Sequence, residues 1–200
     1  MTRLPSASEI VRFHDECVRA PWTPSRSGTS LVEALWTALE ANHWHNSMLW
    51  EQEDLARRQR APDSEIAGNK RAIDKHNQQR NDAIERVDEA LLRLFSEVKK
   101  KADARLSSET PGAMIDRLSI LALKIHNMRL QTQRTDVDAE HVAACRAKLE
   151  KLTEQRGDLA GCLDRLLAEV QRGESTFKIY RQFKMYNDPK LNPAIYGEKR

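Results

Sequence analysis

Apolar residues recur at alternating intervals of three and four positions through four long stretches of the chain. The clearest stretch carries Val142, Cys145, Leu149, Leu152, Leu159, Leu163, Leu166 and Val170. This spacing places the apolar side chains on one face of an α-helix. Only 7 glycines and 7 prolines interrupt the 200 residues, and Ala, Leu, Glu, Gln, Lys and Arg are frequent, which disfavours a β-rich fold. The sequence therefore predicts an all-α protein.

Capping residues and helix breakers mark the ends of the predicted helices. The helix-start signals are Ser6 with Glu9, Ser30 with Glu33, Asp63 after Pro62, Thr110 before Pro111, and Thr135 with Asp138. A short helix follows Ser6, and four long helices run over about 30–60, 63–104, 110–131 and 135–173. Short connections favour antiparallel neighbours. We therefore predict an elongated antiparallel four-helix bundle over 30–173, an N-terminal helix and loop over 1–29, and a C-terminal unit over 174–200.

The C-terminal unit is predicted as a short aromatic and basic helix followed by an extended tail. Its aromatic residues recur every third position, at Phe177, Tyr180, Phe183 and Tyr186, with cations between them. We expect the rings to pack on the bundle and the cations to face water. The sequences Asn187-Asp188-Pro189 and Asn192-Pro193 predict the extended tail.

A weak internal repeat relates the second and fourth long helices. Residues 73–92 and 149–168 are identical at 6 of 20 positions when they are aligned with an offset of 76. A duplicated helical hairpin and ordinary similarity between charged helices both explain this match.

Charge and composition exclude several classes of protein. The chain has 33 basic and 30 acidic residues, and a net charge of +3 is too small for a dedicated nucleic-acid binder. No apolar run approaches the ~18–20 residues that span a bilayer, and charge appears too early for a signal peptide. Cys17, Cys145 and Cys162 match no zinc or disulfide spacing. We expect a cytoplasmic protein with reduced thiols and no membrane span.

Polar residues interrupt the apolar face in one section of the predicted bundle. They are Asn42, Asn46 and Glu53 on the first long helix, Asn77 and Arg80 on the second with Asn81 beside them, and Arg156 on the fourth. Buried polar groups must bind one another or a ligand. A structural network that sets helix register is one interpretation. The other is a ligand pocket in which Arg80 holds an anionic group and the asparagines bind the hydroxyls of a small anionic or sugar ligand.

Paired carboxylates allow an alternative function. Glu51-x-x-Asp54 and Glu85-x-x-Asp88 resemble the acidic helix pairs of all-α nucleotide pyrophosphohydrolases, in which Mg²⁺ holds the substrate. These four residues would be the metal ligands of a Mg²⁺-dependent hydrolase of a nucleotide or nucleotide-sugar. Without that function the protein needs no cofactor, and the carboxylates are ordinary solvated helix faces.

Aromatic residues near the N-terminus predict how the first helix docks. Phe13, Trp22, Trp36, Trp44 and Trp50 are expected to pack that helix onto the bundle.

Four segments resemble a bacterial family, domain of unknown function 4254. They are ALEANHWHNSMLWEQEDLARR, IAGNKRAIDKHNQQRNDAIERVDEALL, SSETPGAMIDRLSILALKIHNMR and YRQFKMYNDPKLNP, and the resemblance extends over about 31–193. It implies a bacterial cytoplasmic protein encoded beside glycosyltransferases for cell-surface glycans. It assigns no catalytic residue. We therefore predict a ligand-binding or accessory protein linked to glycan assembly, with a structural docking partner of a glycosyltransferase as an alternative.

Overall fold

The computed structural model describes residues 3–181, 185 and 188–197, and within them the fold is all-α. The helices are α1 (Ala7–Cys17), α2 (Leu31–Ala56), α3 (Asp63–Leu94), α4 (Pro111–Thr132), α5 (Ala139–Gln171) and α6 (Pro193–Gly197). Two short strands, β1 (Arg105–Leu106) and β2 (Ser175–Thr176), pair in parallel. The predicted fold class is confirmed. None of the described helices is long and apolar enough to cross a membrane.

Most of the predicted helix starts are confirmed by their hydrogen bonds. Ser6 and Ser30 each form a reciprocal capping box with the glutamate three residues later. Thr110 accepts a hydrogen bond from the backbone N–H of Ala113 at 3.2 Å. Two predictions are wrong: Asp63 is the first helical residue rather than the cap, and α5 is capped by Asp138 rather than Thr135.

The second long helix ends earlier than predicted. It stops at Leu94 instead of near Ala104, and Phe95 folds into the core at 9% exposure. The chain then pairs with the segment after α5, where the N–H of Lys101 donates to the carbonyl of Gly173 at 2.9 Å. The φ of Gly173 is +70°, which a residue with a Cβ rarely adopts. These long-range backbone hydrogen bonds replace the helical ones, so the helix prediction failed here.

The C-terminal unit also differs from its prediction. Ser175–Thr176 is a strand, and residues 177–181 have no helix. Phe177 is buried as expected, but Tyr180 is 68% exposed. Residues 193–197, predicted as extended, form α6 instead, because the side chain of Asn192 accepts from the N–H of Ala194 at 3.0 Å and starts a helical turn. Phe183 and Tyr186 lie outside the described residues.

Helix α4 is the centre of the bundle. Helices α2 and α3 form an antiparallel pair, as the contacts His45–His76 and Glu53–Lys70 show. Helix α4 packs against α1, α2, α3 and α5. A helix with neighbours on most sides buries residues all around its axis, and α4 buries both apolar and polar ones. This position places the polar residues of α4 against those of α2 and α3.

Gly112 permits the close contact between α3 and α4, and its replacement by alanine is expected to destabilise the protein. A Cβ there would lie 2.6 Å from the carbonyl oxygen of Ile84 and 2.9 Å from Cγ of Asp88. Overpacking of this kind costs about 1–3 kcal/mol in the free energy of unfolding, measurable by urea denaturation. Gly161→Ala is the control, since nothing lies within 4 Å of that position and alanine favours the helix. Equal stability of the two variants would contradict the assigned helix contact.

Candidate functional site

The buried carboxylate of Asp116 organises the polar interior. Asn42 and Asn46, one turn apart on α2, donate from Nδ2 to Oδ1 of Asp116 at 2.8 and 2.9 Å. Asn42 is 1% exposed, Asn46 3% and Asp116 8%. The two asparagines predicted from the sequence are therefore buried and close together, and their shared partner comes from α4.

A second part of the network joins α1 to α2 and α4. Nδ1 of His43 lies 2.7 Å from Oγ of Ser119, and Nδ2 of Asn46 donates to the same hydroxyl at 3.0 Å. The ring of His14 stacks on that of His43 with centroids 4.7 Å apart. Burial lowers the pKa of His43 to about 4 and holds the pKa of His14 well below its usual value. Both rings are therefore neutral at pH 7.

Three ring nitrogens of this pair have no hydrogen-bond partner among the described residues. They are Nδ1 and Nε2 of His14 and Nε2 of His43. Phe13 and Trp22 surround the rings, with centroids 6.1 and 5.6 Å from that of His43. Protonation inside this aromatic shell is costly, because an isolated buried cation loses its hydration.

Arg80 has unused hydrogen-bonding capacity. Its Nε lies 4.0 Å from Oδ1 of Asp116, and its Nη2 lies 3.5 Å from Oδ1 of Asn81. The first distance is too long for a hydrogen bond and the second is at the limit. Nε is buried and has no hydrogen-bond partner among the described residues. The guanidinium is thus held near the Asp116 carboxylate, and because the side chain is 25% exposed, its exposed part remains available to an anion.

A cavity of about 320 Å³ lies beside this guanidinium, between α2, α3 and α4. Its lining includes three of the predicted site residues, Asn46, Glu53 and Arg80. The remaining lining residues are Leu49, Trp50, Asp54, Arg57, Ile120 and Leu123. Two arginines and two carboxylates thus share the wall with an indole ring, so the cavity suits a polar ligand with an apolar face.

The other predicted residues are spread around this cavity. Glu53 is 35% exposed and binds Arg57 and, at 3.9 Å, Lys70. Asn77 is partly buried and does not line the cavity. Asn81 is buried and lines a separate cavity of about 340 Å³. Arg156 lies elsewhere and binds Asp15 of α1 at 2.6 Å.

The separate cavity contains the second carboxylate pair, at the start of α4. Asp88 is 2% exposed and accepts a hydrogen bond from the N–H of Gly112 at 2.7 Å. Burial raises the pKa of Asp88 to about 6. Glu85 binds Arg181, which also binds Glu89 at 2.6 Å. Both carboxylates therefore have structural partners.

The structure does not bring the four predicted metal ligands together. The antiparallel register of α2 and α3 places Lys70 beside Glu53, so Glu51 lies near residue 71 or 72. Glu85 is about 14 residues further along α3, which corresponds to ~20 Å along the axis. Glu51 and Asp54 are thus far from Glu85 and Asp88. Among the residues that the structure describes, no cluster of three or more His, Cys, Asp or Glu could hold a metal ion.

The aromatic residues dock α1 largely as predicted. Phe13 contacts Trp36 and Trp22 with ring centroids 5.6 and 6.1 Å apart, and Trp22 contacts Trp44 at 5.7 Å. Trp50 is the exception, because it lines the cavity beside Arg80.

Sequence reasoning missed Asp116, Ser119 and the stacked histidines. The apolar spacing of α4 indicates a nearly apolar helix, and its few polar residues carried no prediction. The available signal was the breadth of the apolar face of α4, where Ile115, Leu118, Leu121 and Ala122 cover more than one side. A helix that is apolar on most sides is buried on most sides, so its few polar residues are buried too.

Comparison with protein families identifies the family of this chain. A family model described as "Protein of unknown function (DUF4254)" matches residues 36–179, which is more than half of the chain. No curated protein and no solved structure matches the chain.

Proposed function

Because the chain belongs to the DUF4254 family, whose description names no activity, we propose a function from the site itself. The protein binds a small molecule in the cavity beside Arg80. The ligand is a hydroxylated compound with one anionic group, such as the phosphate or carboxylate of a sugar derivative.

The observation that carries this proposal is the partly exposed guanidinium of Arg80 in the cavity wall, whose nearest described carboxylate is 4.0 Å away. Nε of Arg80 is buried, and it has no hydrogen-bond partner among the described residues. The Arg80 side chain as a whole is 25% exposed, so the exposed part of the guanidinium can donate to an oxyanion at the cavity wall. Asp116 keeps the guanidinium in place at 4.0 Å without accepting a hydrogen bond from Nε.

The rest of the lining supports a sugar-like ligand. Trp50 offers a flat apolar surface, while the amide of Asn46 and the carboxylate of Glu53 can bind hydroxyl groups. Ligand cavities commonly measure about 300–1,000 Å³. At about 320 Å³ this cavity fits a monosaccharide derivative better than a complete nucleotide-sugar.

The biological setting we propose is an accessory role in bacterial cell-surface glycan assembly, in the cytoplasm and alongside a glycosyltransferase. A sugar-sized polar cavity is compatible with that setting. The two carboxylate pairs are ~20 Å apart along the helix axes, so they do not form the shared metal site that Mg²⁺-dependent hydrolysis needs.

The test is a thermal-shift titration with glucose 1-phosphate, with glucose and inorganic phosphate as separate probes. At a concentration tenfold above Kd, the sugar phosphate should stabilise the native protein by about 1.4 kcal/mol and raise Tm by a few degrees. Arg80→Met should abolish this shift while its own free energy of unfolding stays within about 1 kcal/mol of wild type, because its hydrogen-bonding contacts are long.

Arg86→Met is the matched control, since Arg86 lies exposed on the same helix and away from the cavity lining. It should leave the shift unchanged. The proposal fails if no probe shifts the wild-type midpoint, or if Arg80→Met binds as well as wild type. Loss of several kcal/mol in Arg80→Met would identify a structural network instead.

A further inference from the structure

Helix α1 lies in a furrow formed by α2, α4 and α5. Its rings contact α2, where His14 stacks on His43 at 4.7 Å. Its ends contact α5, where the N–H of Ala7 donates to Asp164 at 2.8 Å and Asp15 binds Arg156 at 2.6 Å. It also packs against α4. The furrow therefore accepts an amphipathic helix along this part of its length.

The furrow continues beyond the end of α1. Residue 7 lies beside residue 164 of α5, and residue 15 lies beside residue 156, so a longer α1 would next meet residues 152–147. Helix α1 ends instead at Cys17, and the chain turns back towards Trp22, which packs on Trp44. An open groove of about 840 Å³ occupies the remaining part, between α2, α4 and α5.

The groove has an apolar floor and a cationic rim. The floor includes Trp50, Met128 and Leu152, and the rim carries Lys124, Lys148 and Lys151 against the single carboxylate of Asp54. Lys151 pairs with Glu154 at 2.7 Å. Among the described residues, no carboxylate lies within 4.0 Å of Lys124 or Lys148, so these two ammonium groups are available to a partner.

We propose that this groove binds an acidic amphipathic helix of a partner protein, placed end to end with α1. Apolar side chains at i, i+3, i+4 and i+7 would cover the floor, and flanking Glu or Asp residues would pair with the lysines. Helix α1 already shows that a helix fits the same furrow. The lysines at the rim favour a partner helix with negative charge. The inference does not depend on the sugar-binding proposal, although Trp50 and Asp54 border both the groove and the cavity.

The probe is a fluorescein-labelled helical peptide of about 14 residues, with leucine at i, i+3, i+4 and i+7 and glutamate on both flanks. Fluorescence anisotropy with the full chain should give saturable binding with a Kd on the order of 10 µM. A peptide with lysine in place of each glutamate should not bind, because it meets cations at the rim.

The variants test the rim and the floor separately. Lys124→Glu combined with Lys148→Glu should weaken binding of the acidic peptide by at least about tenfold. Lys75→Glu, a charge reversal at another exposed lysine, on α3, should leave the Kd unchanged. Leu152→Asp should weaken binding through the floor, and circular dichroism should show that all variants remain helical.

Three results would overturn the proposal. The first is that the acidic peptide shows no saturable binding up to about 1 mM. The second is that the lysine peptide binds as tightly as the acidic one. The third is that the variant with both charge reversals binds the acidic peptide with the same Kd as wild type. A fourth result concerns a second copy of this chain. If sedimentation shows a wild-type dimer that Leu152→Asp converts to a monomer, the groove is a self-interface rather than a site for a partner helix.

Discussion

Replacing Asp116 with alanine is expected to lower the free energy of unfolding by about 3–5 kcal/mol, because it leaves several buried polar groups without a partner. The change removes the acceptor that Asn42 and Asn46 share at 2.8 and 2.9 Å, and it removes the only described carboxylate within 4.0 Å of the Arg80 guanidinium. Two buried amide groups lose a partner, and a partly buried cation loses its counter-charge. Urea denaturation monitored by circular dichroism measures the loss.

Asp116→Asn separates the hydrogen bonds from the charge. Its side-chain carbonyl can still accept from both asparagines, so only the attraction to Arg80 across 4.0 Å is lost, and we expect a cost of up to about 1 kcal/mol. Similar losses in both variants would mean that charge, rather than hydrogen bonding, dominates at this position. A loss below about 1 kcal/mol in Asp116→Ala would contradict the network as described.

Acidification is expected to remove about 3 kcal/mol of stability through His43 alone. Its pKa is about 4 in the folded protein and 6.5 in the unfolded chain, so the unfolded chain takes up a proton first. The contribution of neutral His43 to the free energy of unfolding is complete above pH 6.5, and it is lost as the pH falls towards 4. The lowered pKa of His14 acts in the same direction.

His43→Asn isolates this effect from other groups. Asp88, whose pKa is raised to about 6, works in the opposite direction, since its protonation favours the folded state as the pH falls below 6. The pH curve of the wild type alone is therefore uninformative. The difference in unfolding free energy between wild type and His43→Asn should shift by about 3 kcal/mol in favour of the variant between about pH 7 and 4. A difference that is constant with pH would show that His43 titrates normally.

Local sequence signals predicted most helix starts correctly. They did not predict the end of α3, which long-range contacts determine. The capping boxes at Ser6 and Ser30 depend on residues three positions apart, and both form. The end of α3 depends on backbone pairing with Gly173, which is 72 residues away from Lys101 along the chain. A helix-favouring segment stopped at Leu94 because burial of Phe95 and that pairing outweigh local propensity.

Some residues of the candidate site could be predicted from the sequence and others could not, for a similar reason. Asn42 and Asn46 interrupt an otherwise apolar face, which the sequence alone reveals, and both are buried. Glu53 also falls on that face, yet it lies near the end of α2, where Arg57 and Lys70 reach it from the surface. Periodicity describes the angle of a side chain around its own helix and says nothing of how deep in the bundle that turn lies.

By itself, the sequence determined that the chain is all-α, where most helices begin, and which polar residues of α2 face inward. Only the tertiary structure decided that Asp116 of α4 accepts from both asparagines, that Arg80 lines a cavity, and that α1 fills only part of a furrow. The physical reason is that apolar spacing orients each helix about its own axis. The choice of neighbour, the register between helices and the gaps left between them depend on packing among residues far apart in the chain.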